Sequence, residues 1–80
     1  MLTSYIRAAM RRATYEILSD GSFYGELSGF QGVWASASAL EDCREELQEV
    51  LEGWIVLGLQ MGHVLPVVDG IELTTQLEPA

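Results

Sequence analysis

Residues 39–62 repeat apolar side chains at helical spacing, but the two halves of that repeat make different demands. In the first half Leu40, Cys43, Leu47, Val50 and Leu51 mark one stripe. Glu41, Asp42, Glu45, Glu46, Glu49 and Glu52 fill the remaining surface. That is the pattern of a helix that buries a single face. In the second half Trp54, Ile55, Val56, Leu57, Leu59 and Met61 are apolar nearly all round. A helix apolar on every side must be covered on every side, and a chain of 80 residues has little mass to do so. With 49% apolar residues the chain is no disordered polymer. A single cysteine, Cys43, excludes an intrachain disulfide, and a single histidine, His63, argues against a structural zinc site. No metal or cofactor is expected. Small scaffolds without such staples turn to self-association. Trp54, Ile55, Val56 and Leu59 are therefore candidate interface residues of a homo-oligomer, dimer or tetramer. Burial beneath the chain's own Val64–Val68 segment is the alternative.

The remaining periodicity predicts one domain over residues 1–80. Leu2, Tyr5, Ile6, Ala9 and Met10 give a short amphipathic helix over 3–12. Alternation then takes over, with Ala13, Tyr15 and Ile17 on one side of a strand and Thr14 and Glu16 on the other. Asp20-Gly21 is a hairpin signal. A second strand follows over 22–27 with Phe23 and Leu27 inward, and a third over 33–37 with Val33 inward and Trp34 outward. Ser38 and Glu41 have the spacing of a capping box at the start of the main helix, and Gly62 suits its C-terminal cap. Asp69-Gly70 is a further turn, Ile71–Thr75 a last strand, and 76–80 a frayed tail. The fold class is α+β: a two-layer sandwich, α-β-β-β-α-β, with an antiparallel sheet under one main helix. The expected core is Tyr15, Ile17, Phe23, Leu27, Val33, Leu40, Cys43, Leu47, Val50 and Leu51.

Charge is distributed unevenly. Residues 1–15 hold Arg7, Arg11 and Arg12 and no acid, whereas the rest holds all 12 acids and only Arg44; there is no lysine, and the net charge is −8. Phosphate-backbone binding scales with the number of cations presented, so nucleic acid is not the expected partner. The acidic bulk favours a basic partner or simple solubility. The amino terminus runs into arginines without the apolar core of a secretory signal. The uncharged run from Gly53 to Val68 is broken by Gln60, His63 and Pro66 and is shorter than the roughly 20 residues that span a bilayer. A cytoplasmic protein without a membrane segment is expected.

Residues 24–27, 29–35, 40–43, 51–54 and 59–66 carry, in that order, short motifs that together resemble the HicB-like family, the antitoxin halves of bacterial toxin–antitoxin pairs. Tyr24-Gly25-Glu26-Leu27 with Gly29-Phe30-Gln31-Gly32-Val33-Trp34-Ala35 is similar to that family's YxGxIPDLPGCxA segment. Leu40-Glu41-Asp42-Cys43 resembles its LEEA helix start. Leu51-Glu52-Gly53-Trp54 and Leu59-Gln60-Met61-Gly62-His63-Val64-Leu65-Pro66 resemble its LExW and LxxGxxIP helix exit. The likeness covers about residues 15–73. The chain departs from the pattern at Ser28 and Gln31, where the family has prolines, at Ala37, where it has glycine, and at Ala39, where it has Ser or Thr; the cap is then expected at Ser38. The resemblance implies a partial RNase H-like β-β-β-α-β unit that covers a small basic, messenger-RNA-cleaving toxin. The arginine-bearing first helix resembles stand-alone, oligomeric members, so no DNA-binding segment is expected after the last strand. An oligomeric protein with no toxin partner, structural or ligand-binding, is the other reading.

An RNase H-like unit invites a search for metal-binding carboxylates. Glu16, Asp20 and Glu26 lie on or beside strands, but two-metal chemistry needs several carboxylates converging on ions about 4 Å apart. A solvated outer face is the expected role, and the chain is expected not to be an enzyme. His63 lacks a catalytic partner, and Cys43 reads as a small core residue opposed in reactivity by the acids around it. Trp34 with Tyr24 forms a candidate aromatic interface pair across two strands, unless the first helix packs over it.

Overall fold

A computed structural model describes residues 2–73. Helix α1 spans Leu2–Met10, strands β1, β2 and β3 span Ala13–Ile17, Phe23–Leu27 and Trp34–Ala37, and helix α2 spans Leu40–Gln60. The strands form one antiparallel sheet in the order β1-β2-β3, with Tyr15 opposite Gly25 and Gly25 opposite Ala35. Helix α2 lies across one face, which makes a two-layer α+β sandwich.

Local chemistry explains the element boundaries. Strand β1 ends at Ile17 because Leu18 already closes the turn. Its N–H donates to Ser22 O at 2.8 Å, while Gly21 N–H donates to Leu18 O at 2.9 Å. The Asp20 carboxylate locks this turn by accepting from the Ser22 amide and hydroxyl at 2.9 and 2.6 Å. Those two bonds lower its pKa. Helix α2 ends in a Schellman arrangement: Gly62 N–H donates to Leu59 O and His63 N–H to Gly58 O. Gly62 takes the left-handed conformation, φ +75, as the sequence predicts. The expected capping box at Ser38 and Glu41 does not form. Ala39 occupies the N-cap position with no side-chain hydrogen bond, so Ser38 falls one residue too early to reach the free amides.

The last expected strand also differs. Val68 and Ile71 exchange both backbone hydrogen bonds across Asp69-Gly70, both with positive φ, as a tight hairpin turn requires. Beyond that single bridge no strand continues through Leu73. Residues 74 and 75 of the expected strand, and the expected tail at 76–80, lie outside the described residues.

The core lies between sheet and helices. Cys43, Leu47, Leu51 and Ile55 recur every four residues along α2 and are fully or almost fully buried. They join Leu27, Val33 and Ala35 from the sheet side, Tyr5, Ala8, Ala9 and Met10 from α1, and Phe30, Leu65 and Val68. Tyr15 and Phe23 are only half-buried. Three expected core residues are exposed. Ile17 is 69% accessible because it lies at the hairpin end of the sheet, and Leu40 is 47% accessible because it opens α2 at that same uncovered end. Val50 is turned about 100° from Leu51 and leaves the buried stripe.

Candidate functional site

Strand alternation sends Thr14, Glu16, Tyr24, Glu26, Trp34 and Ser36 to the face of the sheet away from α2. Glu26 is directly opposite Trp34, and Tyr24 sits between Glu16 and Ser36. The Tyr24 and Trp34 rings, diagonal neighbours on adjacent strands, stack with centroids 5.9 Å apart and planes 28° from parallel. The Tyr24 hydroxyl donates to Glu26 Oε1 at 3.0 Å. Holding that proton against the carboxylate raises the tyrosine pKa. Trp34 is 53% exposed, so α1 does not pack over the pair. A hollow of about 540 Å³ between this stack and the 28–33 loop completes the surface. Buried Phe30 anchors that loop through backbone bonds to Leu27 and Val33.

An open aromatic pair flanked by carboxylates is suited to a cation. A guanidinium or ammonium over an indole face gains roughly 0.5–1 kcal/mol when exposed and 2 or more when desolvated. The pairing of Tyr24 and Trp34 across two strands is seen in the structure, which brings them together with Glu16 and Glu26. Among the described residues no group of three or more His, Cys, Asp and Glu side chains is arranged to hold a metal ion.

The second predicted surface is partly overturned. Ile55 is 1% exposed and belongs to the core. Trp54 and Leu59 are half-buried, and only Val56 stands free, at 50%. Three parts of the chain cover this end of α2. Phe30 packs edge-on to Trp54, Tyr5 packs edge-on to Phe30, and the Tyr5 hydroxyl donates to Pro66 O at 2.6 Å, tying the returning segment to α1. Gly58 leaves room for the Leu65 side chain against the helix. What stays uncovered is Val56, Leu57, Met61, Val64 and Val67. Sequence reasoning does not single out Leu57 and Val64 as exposed; for Leu57 the signal available is its phase, off the 43-47-51-55 stripe.

Cys43 is buried, its thiol 3.5 Å from Ala35 O. Burial, and then the charge of Glu46, raise its pKa, so it is not poised as a nucleophile. His63 is exposed at the end of the α2 cap. Among the described residues no helix is long and apolar enough to cross a membrane.

Comparison with known proteins adds relatives to this geometry. Comparison with curated proteins gave no match. The crystal structure of TTHA0281 from Thermus thermophilus is similar, with a TM-score of 0.84 and 37% sequence identity over 90% of each chain. The UPF0150-like family model matches residues 4–66, which take in most of α1, the whole sheet and α2. The chain belongs to the UPF0150-like family.

Proposed function

We propose that this chain is a non-catalytic, HicB-like antitoxin-type protein that oligomerises and binds a small basic, messenger-RNA-cleaving toxin. The observation that carries the reading is the uncovered sheet face, where the exposed Tyr24–Trp34 stack lies among Glu16 and Glu26 on a chain of net charge −8. Cationic side chains of a basic partner would lie on the rings and meet both carboxylates. The order of the HicB-like motifs supports the same class. Self-association as a dimer or tetramer uses a different surface, where Val56, Leu57, Met61 and Val64 stay exposed.

The test is co-purification with a short basic protein encoded beside this chain, with growth rescue as a second readout. A stable complex and neutralisation are expected, and both fall when Trp34→Ala is combined with Glu26→Lys. A basic neighbour that neither binds nor is neutralised overturns the reading and favours an oligomer without a toxin partner.

A further inference from the structure

Three of the four arginines meet at a place the sheet face does not use. Arg7 stands in the last turn of α1, Arg11 follows four residues on in the turn just past the helix, and Arg44 stands near the start of α2. The packing of α1 against α2 gathers them around one cleft of about 440 Å³, which Ile6, Met10 and Thr3 also line. That is within the usual range of small-ligand pockets, about 300–1,000 Å³. Nothing local in the sequence links Arg44 to Arg7; only the helix packing does.

The charges in this cleft are poorly compensated. Among the described residues neither Arg7 nor Arg44 forms an ion pair. Arg11 has only a 3.9 Å approach to Asp69, an exposed carboxylate that Arg12 approaches more closely at 3.6 Å. In a chain with 12 acids and four cations this is a local reversal of sign. The cations are also all arginine, whose planar fork grips oxyanions bidentately where lysine offers a point charge.

The whole-molecule charge selects among anions. A nucleic acid strand, or a second copy at −8, meets repulsion from the acidic surface beyond the cleft. A small anion within about one Debye length, 8 Å at physiological salt, of the arginines is screened from the carboxylates beyond that distance, though not from Glu41, one helical turn before Arg44. Half-buried Ile6 and buried Met10 add apolar surface that a bare phosphate would leave unused. We infer that the α1–α2 cleft binds a small phosphorylated ligand of mononucleotide size, its phosphate on Arg7, Arg11 and Arg44 and its apolar part against Ile6 and Met10. The inference is independent of any protein partner on the sheet face.

Calorimetric titration of the full chain with AMP, adenosine, inorganic phosphate and a short oligouridylate tests it. AMP should bind, adenosine should not, and inorganic phosphate should bind more weakly than AMP. Arg7→Gln and Arg44→Gln should each weaken AMP by about tenfold or more, the worth of one charged hydrogen bond. Arg12→Gln, outside the cleft, should leave it within about twofold, and circular dichroism should show all three variants folded. Absence of AMP binding at millimolar concentration overturns the inference, as does binding indifferent to Arg7→Gln and Arg44→Gln. Adenosine or inorganic phosphate equal to AMP, or oligouridylate tighter than AMP, overturns the ligand class.

Discussion

The two halves of α2 solve the burial problem differently. From Leu40 to Glu52 the helix rests on the sheet through one stripe, Cys43, Leu47 and Leu51, and its acids face water. From Gly53 onward the sheet no longer suffices, and α1, Phe30 and the Leu65–Val68 return cover further sides. Even so, Val56, Leu57, Met61 and Val64 remain outside. One helix thus carries a half that the monomer completes and a half that it completes only in part. Local pattern marked the surplus; the exposure of individual residues shows how much of it is real.

Matched substitutions break or sharpen that contrast. The largest effect is expected for Leu47→Ala, which opens a cavity in the completed half and should cost about 2–5 kcal/mol in chemical denaturation. Leu57→Ser, at a 56% exposed site, should change monomer stability by no more than about 0.5 kcal/mol yet shift the species seen by light scattering toward monomer. Equal destabilisation by both, or a wild-type chain that is monomeric at micromolar concentration, would end the distinction.

Next come the helix glycines. Gly53 has nothing near its missing side chain, whereas a Cβ at Gly58 would come 2.8 Å from Leu65 Cδ2. Gly53→Ala should therefore stabilise by about 0.5–1 kcal/mol through helix propensity. Gly58→Ala should gain less or lose, because Leu65 must shift. Thermal melts of the two variants compare them directly, and an equal gain would show that Leu65 does not seal this half.

The smallest effect is an alkaline limit belonging to the completed half. Burial and Glu46 raise the Cys43 thiol above its ordinary 9.0, and burial raises Tyr15 above 10.0. Above pH 9 the unfolded thiol has lost its proton while the native thiol keeps it, so the unfolded state binds fewer protons and stability falls as pH rises. The contribution is whole below pH 9 and is lost as pH climbs through the raised native value. Melting temperature should decline between pH 9 and 10 in the parent chain and decline less steeply in Cys43→Ala. Identical slopes would show that the thiol is not shielded.

Features that depend on a few adjacent residues were legible. The turns at Asp20-Gly21 and Asp69-Gly70 and the Gly62 cap follow from backbone conformations that few residues accept. The outward placement of Tyr24 and Trp34 follows from strand alternation. Misplaced expectations share a different cause. Ile17 and Leu40 have the right phase for burial but lie where no layer extends to meet them, and Ile55 looks surplus until α1 and the returning segment pack around the end of α2. The Ser38 cap fails by one residue, a scale that periodicity does not resolve.

Sequence alone determined the types of the first five elements and the antiparallel hairpins, because dihedral preferences and side-chain periodicity are local. Tertiary structure alone decided which apolar residues stay uncovered and which charges meet. Burial and electrostatics depend on neighbours that the chain brings in from far along its length. Arg44 beside Arg7 and Arg11, and Pro66 beneath the Tyr5 hydroxyl, are two such meetings.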